Sequence, residues 1–176
     1  MKNLSIVCFL AIGVLFSCST EESAPIDTQE ANFTRTAFDE FCYETPLIAG
    51  KHTEVGRVQV VYTNGEVQVQ YVTDGDWILE ETHLFAGACD DMPVNGGGNP
   101  KIGKFPLHGN HSGSTQTVAY GLDTSDFPEC ICVAAHAVVR NAASNQRETA
   151  WGDGITFPGR SWAMYFNFCW DACDGD

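Results

Sequence analysis

The chain has 176 residues, with nine Lys and Arg against 23 Asp and Glu, so its formal net charge is −14 at pH 7. A charge of that sign opposes binding to nucleic acids and to anionic lipid surfaces, both of which attract basic patches. Once a leading segment is set aside, the remaining length suits one domain with one hydrophobic core.

The first 17 residues have the pattern of a secretory signal peptide. A basic start at Lys2 is followed by unbroken apolar sequence over residues 6–16. That run is too short to span a bilayer, which takes about 20 apolar residues. The tetrapeptide "LFSC" ending at Cys18 resembles the lipobox of bacterial lipoproteins, which implies cleavage before Cys18 and lipidation of that residue. The alternative is an ordinary secretory signal followed by a chance cysteine.

Residues 18–40 are predicted to be the lipidated cysteine and a flexible tether. The sequence "STEE" after Cys18 resembles the acidic tag that directs lipoproteins of Bacteroidetes-like bacteria to the outer face of the outer membrane. The rest of the segment is polar and lacks apolar periodicity, as tethers do. We therefore expect an outer-membrane protein that faces outside, contacts the membrane through its lipid anchor, and carries one domain over 41–176.

Six cysteines remain in the predicted domain, and an even number in an exported domain predicts three disulfides. Cys130 and Cys132 are two apart in a predicted strand, so their side chains share a face and are poorly placed to bond each other. Each is expected to join this strand to a different segment. The spacing does not match a zinc site. The six residues are Cys42, Cys89, Cys130, Cys132, Cys169 and Cys173.

The stretch "VGRVQVVYTNGEVQVQYVTDG" predicts a β-hairpin. Two alternating runs flank Asn64-Gly65, the pair that best supports a type I′ turn. The alternate positions that include Gln59, Gln68 and Gln70 are expected on a wet face. Counting outward from the turn predicts three pairs, namely Tyr62 with Val67, Val60 with Val69, and Val58 with Tyr71.

The fold class follows from the remaining strands. Residues 130–139 are apolar in both alternating sets, which predicts a central strand covered on both faces. The Gly-, Pro- and Asn-rich segment 90–114 is predicted to be a long loop pinned by Cys89. Because no helical periodicity persists after residue 40, we predict an antiparallel β-sandwich of about seven to nine strands, stabilised by disulfides. The other predicted strands are 77–85, 115–122 and 161–170.

Two histidines, His83 and His136, lie inside predicted strands. If those strands are neighbours, the two rings can meet and bind a metal or a substrate. The alternative is that each ring is buried, neutral and hydrogen-bonded. No GxSxG or HExxH motif is present, so a hydrolase would have to use one of these histidines with a carboxylate. No catalytic residue is assigned.

The segment "RETAWGDGITFPGRSWAMYF" brings aromatic, acidic and basic residues together at a loop. Flat aromatic rings beside Asp and Arg suit sugars, whose apolar faces stack while their hydroxyls form paired hydrogen bonds. The candidate ligand-binding residues are Trp151, Asp153, Arg160 and Trp162. The alternative is that the two tryptophans plug the end of the fold while Asp153 and Arg160 close the turn.

Calcium is the one cofactor that the sequence brings into consideration. Asp123, Asp126 and Glu129 offer oxygens to Ca²⁺, although Ser and Pro among them equally predict a turn. Otherwise no cofactor and no metal is expected.

Five blocks of the sequence, in order, resemble a module that recurs in secreted and surface proteins of bacteria and has no assigned activity. The resemblance covers residues 47–169 and implies an extracellular, β-rich module, with no functional residues to carry over. The blocks are "LIAGKHTEVGRVQV", "GDWILEETHLFAG", "GGGNPKIGKFP", "AAHAVV" and "ETAWGDGITFPGRSWAMYF".

Together these features predict a surface-anchored lipoprotein that acts as a binding or adhesion module for glycan, matrix or a surface protein. This reading predicts an exposed aromatic surface near Trp151 or Trp162. One alternative is a small secreted hydrolase that uses a strand histidine and a carboxylate. Another is a structural envelope lipoprotein without a ligand.

Overall fold

The computed structural model describes residues 40–63, 66–125 and 127–173, all within one compact unit. The expected all-β, antiparallel and disulfide-containing fold is confirmed. The strands are β1 (Glu40–Ala49), β2 (Thr53–Thr63), β3 (Glu66–Thr73), β4 (Trp77–Gly87), β5 (Leu107–Asn110), β6 (Thr117–Leu122), β7 (Cys130–Asn141), β8 (Arg147–Gly152), β9 (Ile155–Thr156) and β10 (Met164–Cys169), with 3₁₀ turns at Cys89–Asp91, Ile102–Lys104 and Trp170–Cys173.

The strands form one hydrogen-bonded antiparallel sheet that is nearly barrel-like. Its order is β5-β4-β7-β8-β1-β2-β3-β6. Strand β7 pairs with β4 along one edge, while β8 and β10 share its other edge. Among the described residues, no helix is long and apolar enough to cross a membrane.

A side-chain hydrogen bond connects β4, next to one edge of the sheet, to β6, the strand at the other edge. The two edges therefore lie close together. The hydroxyl of the fully buried Thr82 lies 2.6 Å from the Tyr120 hydroxyl and 2.7 Å from Nε2 of His111. The Tyr71 hydroxyl donates to the His83 carbonyl oxygen at 2.9 Å, which adds a link from β3 to β4. These bonds satisfy polar groups that would otherwise be costly to bury.

Strand β7 is covered on both faces, as predicted. Ile131, Val133 and Ala135 belong to the main core, which gathers buried side chains from most strands of the sheet. Cys132 and Ala134 face the opposite way and belong to a second cluster, here called the outer cluster. The outer cluster also contains Phe85, Met92, Phe105, Trp151, Phe157 and Ala163. Residues from the long loop and from the segment before β10 therefore cover the outer face of β4, β7 and β8.

The hairpin of β2 and β3 has the predicted register, with Tyr62 opposite Val67, Val60 opposite Val69 and Val58 opposite Tyr71. Its turn, Asn64-Gly65, lies outside the described residues. The expectation of a wet second face is wrong at Gln59 and Val61, which are 6% and 0% exposed. Gln59 offsets its burial by donating a 2.6 Å hydrogen bond to the Glu44 carboxylate on β1.

The disulfides agree with the prediction that Cys130 and Cys132 bond different segments. Cys130 is joined to Cys169 on β10, and Cys132 to Cys89 at the start of the long loop. The loop is therefore pinned by Cys89, as expected. Cys42 is also disulfide-bonded, whereas the side chain of Cys173 lies outside the described part of the chain.

The strand predicted over 161–170 is shorter than expected, because β10 begins at Met164. Phe166 and Phe168 pack in the main core, but Trp162 and Met164 pack against the outer cluster. Alternation along one unbroken strand would place all four side chains on the same face, but the strand does not extend before Met164. The chain before β10 crosses to the other side of the sheet, which brings Trp162 next to β7 and β8.

Candidate functional site

Three histidines and a tryptophan lie in register across four neighbouring strands, on the face of the sheet that carries the outer cluster. His108 on β5 is opposite His83 on β4, which is opposite His136 on β7, which in turn is opposite Trp151 on β8. Successive ring centroids are 6.0, 5.6 and 4.8 Å apart. We call these four residues the histidine row. It runs from an exposed ring at His108 to buried rings at His136 and Trp151.

The rings of His83 and His136 lie next to each other, as predicted for neighbouring strands. Each ring, however, has a buried nitrogen without a hydrogen-bond partner among the described residues. Burial, followed by the charge that His83 can carry, lowers the pKa of His136 to about 3. His136 is therefore buried and neutral at pH 7, in agreement with the alternative prediction. Within the described chain, however, Nδ1 of His83 and Nδ1 of His136 are buried and have no hydrogen-bond partner. Unpartnered buried atoms of this kind are rare and call for an explanation.

The carboxylates beside the row are held by arginines. Glu80 accepts hydrogen bonds from Arg140 at 2.7 Å and from Arg147 at 2.8 Å, while Arg147 also donates to Glu81 at 3.0 Å. These two guanidinium groups lower the pKa of Glu80. The Glu81 carboxylate lies 3.8 Å from Nε2 of His83, which is too long for a direct hydrogen bond.

A cavity of about 160 Å³ adjoins the buried end of the histidine row. Its wall contains His136 on β7, Thr149 on β8, and the two tryptophans Trp151 and Trp162. The long loop and the turn before β10 complete the wall. We call this space the Trp162 cavity, because Trp162 is half-buried while Trp151 is 3% exposed.

Asn99 joins the two irregular segments that form the cavity wall. Its Oδ1 accepts a 2.9 Å hydrogen bond from the backbone N–H of Ser161. Gly159 lies so close that a Cβ there would overlap the Asn99 side chain. Asn95 shapes the loop in turn, since its Oδ1 accepts from the N–H groups of Gly97 and Asn99. The wall is therefore held by specific backbone contacts.

The four candidate residues predicted around the loop end up in different environments. Trp151 is buried in the outer cluster, so the expected exposed aromatic surface does not form there. Trp162 is half-buried and lines the cavity. Asp153 is exposed and its Oδ1 accepts from the N–H of Gly154, as the turn-closing alternative predicts. Arg160 is exposed and, within the described chain, forms no ion pair.

A second cavity of about 290 Å³ has Phe157 in its wall. The Cys89–Cys132 disulfide forms part of its wall, along with Met92, Pro158 and Tyr165. This wall includes Asp90 and contains no tryptophan, so it lacks an indole on which a sugar ring could stack.

Two of the three calcium candidates, Asp123 and Glu129, lie among the described residues and belong to no metal-binding group there. Asp123 accepts hydrogen bonds from both the N–H and the hydroxyl of Ser125, and these bonds lower its pKa. Asp126 lies outside the described residues. Over residues 40–63, 66–125 and 127–173, no group of three or more His, Cys, Asp or Glu side chains is arranged to hold a metal ion.

The sequence predictions missed Asn99, Thr149 and Ser161 in the wall, and His108 in the row. His108 was part of a predicted loop, and its place on β5 depends on pairing with β4. Asn99 and Ser161 are 62 residues apart and leave no periodic signal of their contact.

No protein-family model matches this chain, and comparisons with curated proteins and with solved structures found no match.

Proposed function

We propose that this protein is a carbohydrate-binding module and that the glycan binds in the Trp162 cavity. The observation that carries the proposal is the composition of the cavity wall, in which the half-buried Trp162 lies beside polar residues that include His136. A sugar ring offers hydroxyls to such polar residues and an apolar face to the half-buried ring of Trp162. Asn99, Thr149 and Ser161 add polar groups to the same wall.

The size of the cavity suits one sugar unit. A volume of about 160 Å³ equals that of about five water molecules in the liquid. Drug-sized ligands occupy larger pockets, of about 300 Å³ or more. A polysaccharide would therefore insert one ring or one chain end, and its neighbouring units would lie over the exposed residues around the opening.

The arrangement gives less support to a hydrolase. A general base needs a free carboxylate or imidazole within hydrogen-bond reach of its partner. Glu80 and Glu81 are instead bound by Arg140 and Arg147, and Glu81 is 3.8 Å from His83. A binding site does not need a free carboxylate, so the pairing of Glu80 and Glu81 with arginines agrees better with binding than with hydrolysis.

The binding test compares the parent protein with Trp162→Ala by isothermal titration calorimetry against a panel of soluble polysaccharides. We expect the substitution to weaken binding about tenfold or more, as loss of a central aromatic contact does. Trp77→Ala is the matched control, because Trp77 is another half-buried tryptophan and packs on the main core instead. Unchanged affinity in Trp162→Ala, or no binding to any member of the panel, would contradict the proposal.

We further propose that the domain is displayed on the outer face of the bacterial outer membrane, through a lipid on Cys18. The sequence of residues 14–22 supports this location, and those residues lie outside the described structure. Protease added to intact cells should then remove the domain. Its complete protection, with cleavage after the cells are broken, would rule out surface display.

A further inference from the structure

The basic side chains of the described residues fall into two groups. Arg57, Arg140 and Arg147 form ion pairs with neighbouring carboxylates. Within the described residues, Lys101, Lys104 and Arg160 are exposed, and their side chains form neither an ion pair nor a hydrogen bond. Lys51, at the turn between β1 and β2, is also exposed and unpaired.

The first three of these unpaired cations flank the Trp162 cavity along the chain. Lys101 lies between Pro100 and Ile102, both of which line the cavity. Lys104 ends the 3₁₀ turn that begins at Ile102. Arg160 directly precedes Ser161, another lining residue. Consecutive Cα atoms are about 3.8 Å apart, so the Cα atoms of Lys101 and Arg160 lie within about 4 Å of that of a lining residue, and the Cα atom of Lys104 within about 8 Å.

These three unpaired cations adjoin the cavity wall although the chain has a net charge of −14. Glu80 and Glu81 are neutralised by Arg140 and Arg147. Glu148, next to Thr149, and Asp153, two residues beyond Trp151, are the acidic residues nearest to the wall along the chain. Unpaired cations around a concave site attract anions and orient them on approach.

We propose that the ligand of the Trp162 cavity is an acidic polysaccharide. Its anionic groups lie against Lys101, Lys104 and Arg160 while one of its sugar rings faces Trp162. The planar guanidinium of Arg160 matches the two oxygens of a carboxylate or sulfate group, and the two lysines add point charges. This proposal rests on the proposed carbohydrate-binding function and specifies the class of glycan.

The test uses three polymers, namely the polyuronate alginate, dextran sulfate and neutral dextran. We expect the protein to bind at least one acidic polymer and not dextran. Raising NaCl from about 50 to about 500 mM should weaken that binding, because exposed charges are screened over a shorter distance. The variant Lys101→Gln/Lys104→Gln/Arg160→Gln should bind about tenfold more weakly or worse. Lys51→Gln, the control for nonspecific attraction, should retain the parent affinity.

The outcomes separate the two proposals. Preference for alginate assigns a carboxylate ligand and preference for dextran sulfate a sulfate ligand, and either supports an acidic glycan. Binding of dextran that depends on Trp162 and persists in the triple variant would overturn the acidic class and leave carbohydrate binding intact. Acidic-polymer binding that is insensitive to Trp162→Ala would be surface adsorption and would overturn this inference. Absence of binding to any glycan would overturn both.

Discussion

Replacing both Cys89 and Cys132 with alanine should lower the free energy of unfolding by about 4 kcal/mol in the chain-entropy model of disulfide stabilisation. The bond links residues 43 positions apart, so its removal returns considerable freedom to the unfolded chain. Urea unfolding of the oxidised proteins measures the difference. Cys132 also packs in the outer cluster, and the bond anchors the loop that supplies Asn99 to the wall of the Trp162 cavity. Glycan affinity should therefore fall together with stability.

The control for this effect is Cys130→Ala/Cys169→Ala. That disulfide spans 39 positions, so the model gives a similar loss of stability of about 4 kcal/mol. It joins β7 to β10 and does not touch the long loop, so affinity should be retained. Equal affinity in the two double variants would show that the Cys89 anchor does not support the site.

Acidification should destabilise the protein through His136. The pKa of this residue is lowered by burial to about 3, against 6.5 for an exposed histidine. Below pH 6.5 the unfolded chain takes up a proton at His136 while the folded protein does not, so stability falls with pH until the folded pKa is reached. The free energy of unfolding should decrease by about 1.4 kcal/mol per pH unit, or about 2 kcal/mol between pH 6.5 and 5.0.

His136→Gln should remove this part of the pH dependence, which urea unfolding at several pH values will measure. Burial also lowers the pKa of His111, but that residue is present in both proteins and its contribution cancels. His108→Gln is the matched control, because His108 belongs to the same row and is exposed. A variant that keeps the slope of the parent protein would show that His136 is not the buried neutral group described here.

Much of the fold was predictable because it follows from local alternation. The hairpin register followed from one turn dipeptide, and the double coverage of β7 from its two apolar sets. The different partners of Cys130 and Cys132 followed from their shared face. What alternation cannot supply is the order of strands that are far apart in the chain, such as β4 between β5 and β7.

The candidate site was predicted only in part, because it also depends on segments that are far apart in the chain. His136 and Trp162 were named from sequence, and both line the cavity. An exposed aromatic surface was predicted near Trp151 or Trp162, with burial of both as the alternative. Trp151 lies directly opposite His136, where the outer cluster buries it. The exposure of an aromatic residue after a strand depends on which distant loop covers it. Here the loop held by Cys89 supplies Met92 and Phe105 to that cover.

The most direct test of the account is a ¹H–¹⁵N NMR titration that follows the indole N–H signals of the four tryptophans as a bound polysaccharide is added. Trp151 and Trp162 line the proposed site, whereas Trp77 begins β4 and the indole of Trp170 donates to the Pro128 carbonyl oxygen. We expect the signals of Trp151 and Trp162 to shift and those of Trp77 and Trp170 to stay in place. Shifts confined to Trp77 or Trp170 would place the glycan elsewhere and contradict the account.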